Sequence, residues 1–236
     1  MSGTPAPPVN TADNTAKRGL ASHRRIYDAF QPGLIRGAAR LAHDPAKRYA
    51  YVEHPTEGWR VYLRSAAFIH EEGDNRRDRF IVVKKTGANP RARTWEPPKG
   101  QMEGKDAGLR SARIPPLMNI LKQNVSREVE EEAAISSLKN LKHTGIVFQQ
   151  REFDFPDNWV FQYHIFSAEA TPETIQKAHD HYQWARDHPA AFARFKRDRR
   201  EKDDITWFNP RETALYGRWS GGIVALYLAG KPTKYT

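Results

Sequence analysis

The chain of 236 residues contains no cysteine. Disulfides, a thiol nucleophile and thiolate-held metals are therefore excluded. Any metal must sit on carboxylates, carbonyls or imidazoles, a donor set that favours hard ions such as Mg²⁺ or Mn²⁺. Long apolar runs are absent too: nothing approaches the stretch of about 18 apolar residues that a membrane-crossing helix needs. No apolar segment near the start marks a secretory signal. Acidic residues are scarce from Lys17 to Arg48, where Arg18, Arg24, Arg25, Arg36, Arg40 and Lys47 fall.

What is present is positive charge and a core. The formal net charge is +10, which points to polyanionic partners such as nucleotides, polyphosphates or RNA rather than to any fold. Hydrophobic residues make up 39% and aromatics 11%, with six Trp, enough for one generous domain or a domain with appendages. Residues 1–16, rich in Pro, Thr, Ala and Asn, read as a disordered tail. With the basic stretch that follows they form an expected N-terminal extension over 1–50. Two readings of it stay open: an arm that touches a polyanion, or an organellar transit-type segment. The expected location is intracellular, with the cytoplasm favoured and mitochondria as the alternative.

Residues 51–236 are expected to form the domain proper, interrupted by insertions at about 107–120 and 171–203. Val61–Ile69 and Phe80–Val83 read as strands, and so do Gly145–Phe148, Trp159–Phe166 and Ile205–Phe208. Residues 172–200 read as one or two helices broken at Pro189, the second half basic with two aromatics (Phe192–Arg200). Asn209-Pro210 has the cap-then-proline order that opens a helix, and a short helix from Ile223 to Leu228 is expected to stop at Gly230. Strands interleaved with helices indicate a mixed α/β or α+β domain.

Two pieces concentrate the chemistry. The first is Trp95-Glu96-Pro97-Pro98-Lys99-Gly100-Gln101-Met102-Glu103. The second runs from Arg127 to Ile135, and of its first six residues only Val129 is uncharged. On a helix, positions three and four apart share a face, so Glu128 lies beside Glu131 and Glu132, and Arg127 can orient Glu131. Such a cluster is costly unless a cation neutralises it. Leu117, Ile120, Leu121, Val125 and Val129 lie on one side, which places the helix start near Pro116, a position proline tolerates. The blander reading is a solvated charged face, the usual fate of a charge run.

Arg127, Glu128, Val129, Glu131, Glu132 and Ile135 resemble the second half of the Nudix box, with Ala134 where that family has Gly. Gly100 and Asp106 fit the first half, Asp106 standing where Glu is preferred. The step from Asp106 to Arg127 is 21 positions against the family's eight, so the added residues are expected to lengthen the front of the helix. Residues 61–215 carry the resemblance, with the N-terminal tail and the 171–200 stretch outside it. It implies an α/β/α sandwich on a mixed sheet, and a pyrophosphohydrolase with Mg²⁺ or Mn²⁺ as cofactor. It also implies metal ligands at Glu128, Glu131, Glu132 and the Lys99 carbonyl, and water attacking one phosphorus. Ala134 is expected to keep an ordinary helical backbone.

Catalytic roles fall on Glu131 and Arg127, with Glu201 the candidate for a base from a later loop and Glu169 a poorer one. Lys99, Trp95 and Gly100 are candidates for binding substrate: Lys99 as a point charge on phosphate, Trp95 as a stacking platform. Their bland readings are an exposed turn lysine and a core tryptophan. His179, His181 and His188 have helical spacing but lack matching carboxylates, so a solvated helix is preferred to a second metal site. Trp-Glu-Pro-Pro-Lys-Gly is similar to the turn of diadenosine-polyphosphate hydrolases, and RNA-decapping Nudix enzymes have a related turn. A dinucleoside polyphosphate is the favoured substrate and capped RNA the alternative. A third reading is an inactive Nudix-fold subunit of a ribonucleoprotein. Oligomeric state stays open.

Overall fold

Two long apolar strands run side by side at the centre: β3 (Arg60–Glu71) pairs in parallel with β8 (Trp159–Ala170) along its whole length. The structure, a computed structural model, describes residues 25–89, 94–107 and 115–235. Around this pair a mixed sheet is completed by β1 (Ile35–Leu41), β2 (Asp44–Glu53) and β7 (Lys139–Gln150), in the order β1-β2-β3-β8-β7. A second sheet of three strands joins β4 (Ile81–Lys85), β5 (Trp95–Glu96) and β9 (Lys202–Trp207).

Successive strand residues point to opposite faces, and β3 is buried on both. Val61, Leu63, Ala67 and Ile69 face a core shared with α1 (Leu117–Ala133) and α2 (Pro172–Asp187). Tyr62, Ala66 and Phe68 face a second core with α4 (Val224–Ala229) and the π-turn Trp219–Ile223 ahead of it. Helices thus cover both faces of the central sheet, the α/β/α layering expected.

The central strand also brings the motif pieces together. The short strand β6 (Lys99–Gln101) pairs with it, Gly100 opposite Ser65. On the helix side, Ser65 Oγ donates to Asn124 Oδ1 at 2.6 Å. The buried stripe of α1 runs through Leu117, Ile120, Leu121, Asn124, Val125, Val129, Glu132 and Ala133. Its first turns absorb part of the added length; residues 108–114 of the insertion lie outside the described residues.

Several expectations change here. The boundary at residue 50 falls inside β2, because residues 35–53 form a hairpin of the main sheet. Arginines on alternate hairpin positions give those strands the look of a basic arm. Lys17, Arg18 and Arg24 lie outside the described residues. Asn209-Pro210 opens a single turn closed by the Asn209 carbonyl accepting from Glu212 and Thr213, not a helix. Ala134 has φ 56°, against the helical backbone expected, because it is the residue that turns the chain out of α1 in the left-handed conformation. The breaks at Pro189 and Gly230 stand as read: α2 gives way to α3 (Pro189–Phe192), and Gly230 closes α4 at φ 67°.

Candidate active site

Three consecutive glutamates on α1 part in three directions, as 100° steps around a helix require. Glu130 points outward to Arg199 of the 3₁₀ turn Arg197–Arg200, at 2.9 Å. Glu131 bonds Arg127 through Oε2 at 2.7 Å. Glu132 turns inward, 3% exposed, and accepts the Lys99 backbone N–H at 2.9 Å. The solvated-face reading therefore fits Glu130 alone.

Arg127 joins the two halves of the motif. Its guanidinium donates to Glu131, to Glu128 at 2.7 Å and to Asp106 at 3.2 Å. Asp106 is thus brought to Arg127 across the 21-residue step. Burial pushes the Glu128 carboxyl up to about 8, with Arg127 pulling the other way and Glu132 and Glu131 adding to the rise. Glu128 rests directly on Gly100: a Cβ there would lie 1.8 Å from the Glu128 carboxyl carbon. The glycine is what lets the carboxylate reach the Lys99–Gly100 backbone.

Behind these groups lies a four-membered charge cluster. Lys99 Nζ is 3.0 Å from Glu96 Oε1 and 3.7 Å from Glu132 Oε1. Lys202 Nζ lies 3.0 Å from Glu132 Oε1 and bonds Glu96 as well. Burial opposes the charge on Lys99, but Glu132 and Glu96 outweigh it and hold the ammonium well above its ordinary range. Glu96 likewise stays below the usual carboxylate range: burial resists, and Lys99 and Lys202 prevail.

Of these groups, all but Asp106 and the Glu130–Arg199 pair line one cavity of about 930 Å³. Its walls add Arg64 and Arg218, both paired with Glu152 of the loop after β7, at 3.0 and 3.6 Å. Arg64 also donates to Gln101 and lies over the Phe161 ring at 4.0 Å. Lys47 and Arg197 stand on another wall beside Asp198. Neither Glu96, Lys202 nor Arg64 was singled out from sequence. Arg64 could have been, as the one charge in the apolar stretch Val61–Ala67 of β3.

Other candidates fare differently. Glu201 lines the cavity, and burial followed by the charge of Glu132 raises its carboxyl. Glu169 bonds Asn140 and is not among the lining residues. Trp95 does not line the cavity either: its ring packs on the second core, the bland reading. Tyr216, 62% exposed and lining the cavity, takes its place as the available ring. His181 stacks on Phe195 and sits edge-on to Phe192, while His188 stacks on Trp184. His181 and His188 thus belong to an aromatic cluster that ties α2 to the segment after it, more packed than the solvated helix expected, while His179 has no ring partner among the described residues.

Among the described residues no three His, Asp or Glu converge as a preformed metal cage. The donors still fit a hard ion of the Mg²⁺ kind, which is commonly held by one or two carboxylates and completed by substrate phosphates and water. Glu128 seated on the Gly100 backbone, with Glu131 one turn on, is such a pair.

No family model matches the chain, and no curated relative matches it. Similar solved structures include a Nudix hydrolase from Nitrosomonas europaea, 16% identical, spanning 72% of this chain and 87% of its own, TM-score 0.40. A MutT Nudix hydrolase from Burkholderia pseudomallei is 17% identical over 74% of this chain and 98% of its own, TM-score 0.36. An Ap4A hydrolase of C. elegans in a binary complex is 13% identical over 72% and 96%, TM-score 0.35.

Proposed function

We propose that the chain is a divalent-metal-dependent hydrolase of the Nudix type that cleaves a diphosphate linkage, with a dinucleoside polyphosphate as favoured substrate. The observation that carries this reading is the joint held by Arg127, in which Asp106, Glu128 and Glu131 meet one guanidinium beside the Gly100 backbone. Glu128, Glu131 and the Lys99 carbonyl would hold the ion. Mg²⁺ or Mn²⁺ supplies charge neutralisation at the diphosphate and a more acidic water.

The chain's own groups divide the remaining work. Arg127 keeps Glu131 and Glu128 apart and aimed. Glu201 would take the proton of the attacking water, a role supported by its position on the cavity wall and its raised pKa. The water oxygen bonds to phosphorus, the bridging P–O bond breaks, and the leaving phosphate carries the electron pair away. Arg64, Arg218 and Lys47 offer charge to the outer phosphates, and Tyr216 offers a face to a base.

One feature supports the alternative substrate, capped RNA. Arg197 lines the cavity and continues into the exposed Arg199 and Arg200, so phosphates beyond the cleaved linkage have partners.

The test is product release from dinucleoside polyphosphates and capped RNA with Mg²⁺ or Mn²⁺. Glu131→Gln should lower turnover at least about 100-fold with an unchanged melting midpoint. Metal-independent, salt-sensitive RNA binding with no turnover on any substrate would mean the ribonucleoprotein reading instead.

A further inference from the structure

Lys202 sits where its sequence neighbours argue against it. It follows Arg197, Arg199 and Arg200 and precedes Asp203 and Asp204 in a strongly charged stretch, yet it is 3% exposed. The cause is a bulge. Ile205 pairs with Val83 and Asp204 with Lys84, but Lys85 pairs with Lys202, so Asp203 is the extra residue. A two-residue period would put positions 202 and 205 on opposite faces. The slip returns Lys202 to the face of Ile205, toward α1, as bulges beside active sites often do.

There its ammonium lies between Glu96 and Glu132, which are 7% and 3% exposed. Both oxygens of Glu132 are engaged from within the protein: Oε1 by Lys202 and by Lys99 Nζ, Oε2 by the Lys99 N–H. Glu131 differs, with a side chain 22% exposed and Arg127 as its cation. Lys202 reaches the cavity wall, but its ammonium is taken up by these two carboxylates.

We propose that Lys202 is a resident cation of the site, an internal ammonium that occupies Glu132 and withdraws it from the divalent set. The proposal rests on the metal-dependent reading above and refines it. Glu132 then acts on the backbone instead. It holds the Lys99 N–H, and with it the turn that presents the Lys99 carbonyl, before any divalent ion arrives. Glu128 and Glu131 are left to face the ion. A lysine does not dissociate, so this half of the charge balance is independent of metal concentration.

The measurement is Mn²⁺ binding to the full-length protein, by electron paramagnetic resonance of free Mn²⁺. Glu132→Gln keeps an acceptor for the Lys99 N–H and should change the Mn²⁺ affinity less than about threefold, whereas Glu131→Gln should weaken it about tenfold or more. Lys202→Met should release Glu132 and either add a Mn²⁺ or tighten binding about tenfold, and Glu132→Gln in that background should abolish the gain. Removing one partner of a buried charge pair is destabilising, so Glu96→Gln/Lys202→Met, which removes both charges, is measured beside it with the same expectation. A tenfold loss of Mn²⁺ affinity in Glu132→Gln, with the melting midpoint intact, overturns the proposal and leaves the metal-dependent reading standing. Mn²⁺ stoichiometry and affinity unchanged in both Lys202 variants overturn it as well. A wild-type chain that binds no Mn²⁺, with or without a nucleotide, overturns both.

Discussion

Helices α1 and α2 are nearly equal in length, 17 and 16 residues, and are built on opposite terms. In α2 each local rule is obeyed. Thr171 caps the N-terminus by accepting from the Thr174 N–H, proline takes the first position, Glu173 lies in the first turn and Arg186 in the last. Lys177 bonds Glu173 at 2.7 Å across one turn. In α1 no side chain caps the start, the first turn has no acid and the last no base, and four glutamates crowd the C-terminal half. Negative charge there opposes the helix dipole. Cations from three other elements offset it: Lys99 from β6, Lys202 from β9 and Arg199 from the 3₁₀ turn. Local consistency marks a helix that only has to fold; its violation, repaired by tertiary contacts, marks one that also has to act.

The sharpest way to break this contrast is at the glycine that gives α1 its reach. In Gly100→Ala the new Cβ would collide with the Glu128 carboxylate, its oxygens 2.1 and 2.2 Å away. Those atoms end a flexible side chain, so the chain should fold and Glu128 should swing aside. Turnover should fall at least about 100-fold, the order expected when a reacting group is displaced by an ångström. An alanine variant with wild-type turnover would refute the seating of Glu128 on this backbone.

Titration separates the helices next. Lys177 draws the exposed Glu173 below its ordinary value, whereas burial drives Glu128 up to about 8 from 4.5. A carboxyl raised in the folded state contributes stability fully below 4.5, and that contribution is lost as pH rises through about 8. Mn²⁺ binds the ionised form, so below that pH it must displace a proton. At a fixed Mn²⁺ concentration the metal-induced rise in melting temperature should therefore grow from pH 6 to pH 8.5, and Glu128→Gln should flatten it. A pH-independent rise in the wild type would contradict the burial of this carboxyl.

What was legible in the sequence divides along the same line. Strands β3, β4 and β8 announce themselves because burial leaves apolar runs, β9 only through its last residues Ile205–Trp207, and α2 because its proline and turn residues lie where local chemistry puts them. A motif put Asp106 and Arg127 into one reading, although 21 residues separate them, but their contact itself was not foreseen. The β1–β2 hairpin was not, because Arg36, Arg40 and Arg48 hide its alternation. Lys202 was not either, since a bulge changes which face a residue occupies without changing composition. Ala134 followed the wrong rule: alanine favours the helix interior, but the position lies one past the end, where the backbone decides.

The smallest effects test the ends of the two helices. Ala134, at φ 56°, bears the cost of a Cβ in the left-handed region, about 1–2 kcal/mol. Ala134→Gly should therefore stabilise the protein, by about 0.5–1 kcal/mol after the greater freedom of glycine in the unfolded chain is counted. Thr171→Ala, which removes the cap of α2, should cost about 1 kcal/mol. Urea midpoints measure both, and neither substitution should alter turnover. Opposite signs at the two ends would show that α1 tolerates a strained exit while α2 draws stability from a correct entry. If Ala134→Gly instead destabilised by as much as Thr171→Ala, the exit from α1 would have to be held by the packing of the Ala134 methyl group against the core, and the strain assigned to its backbone would be outweighed.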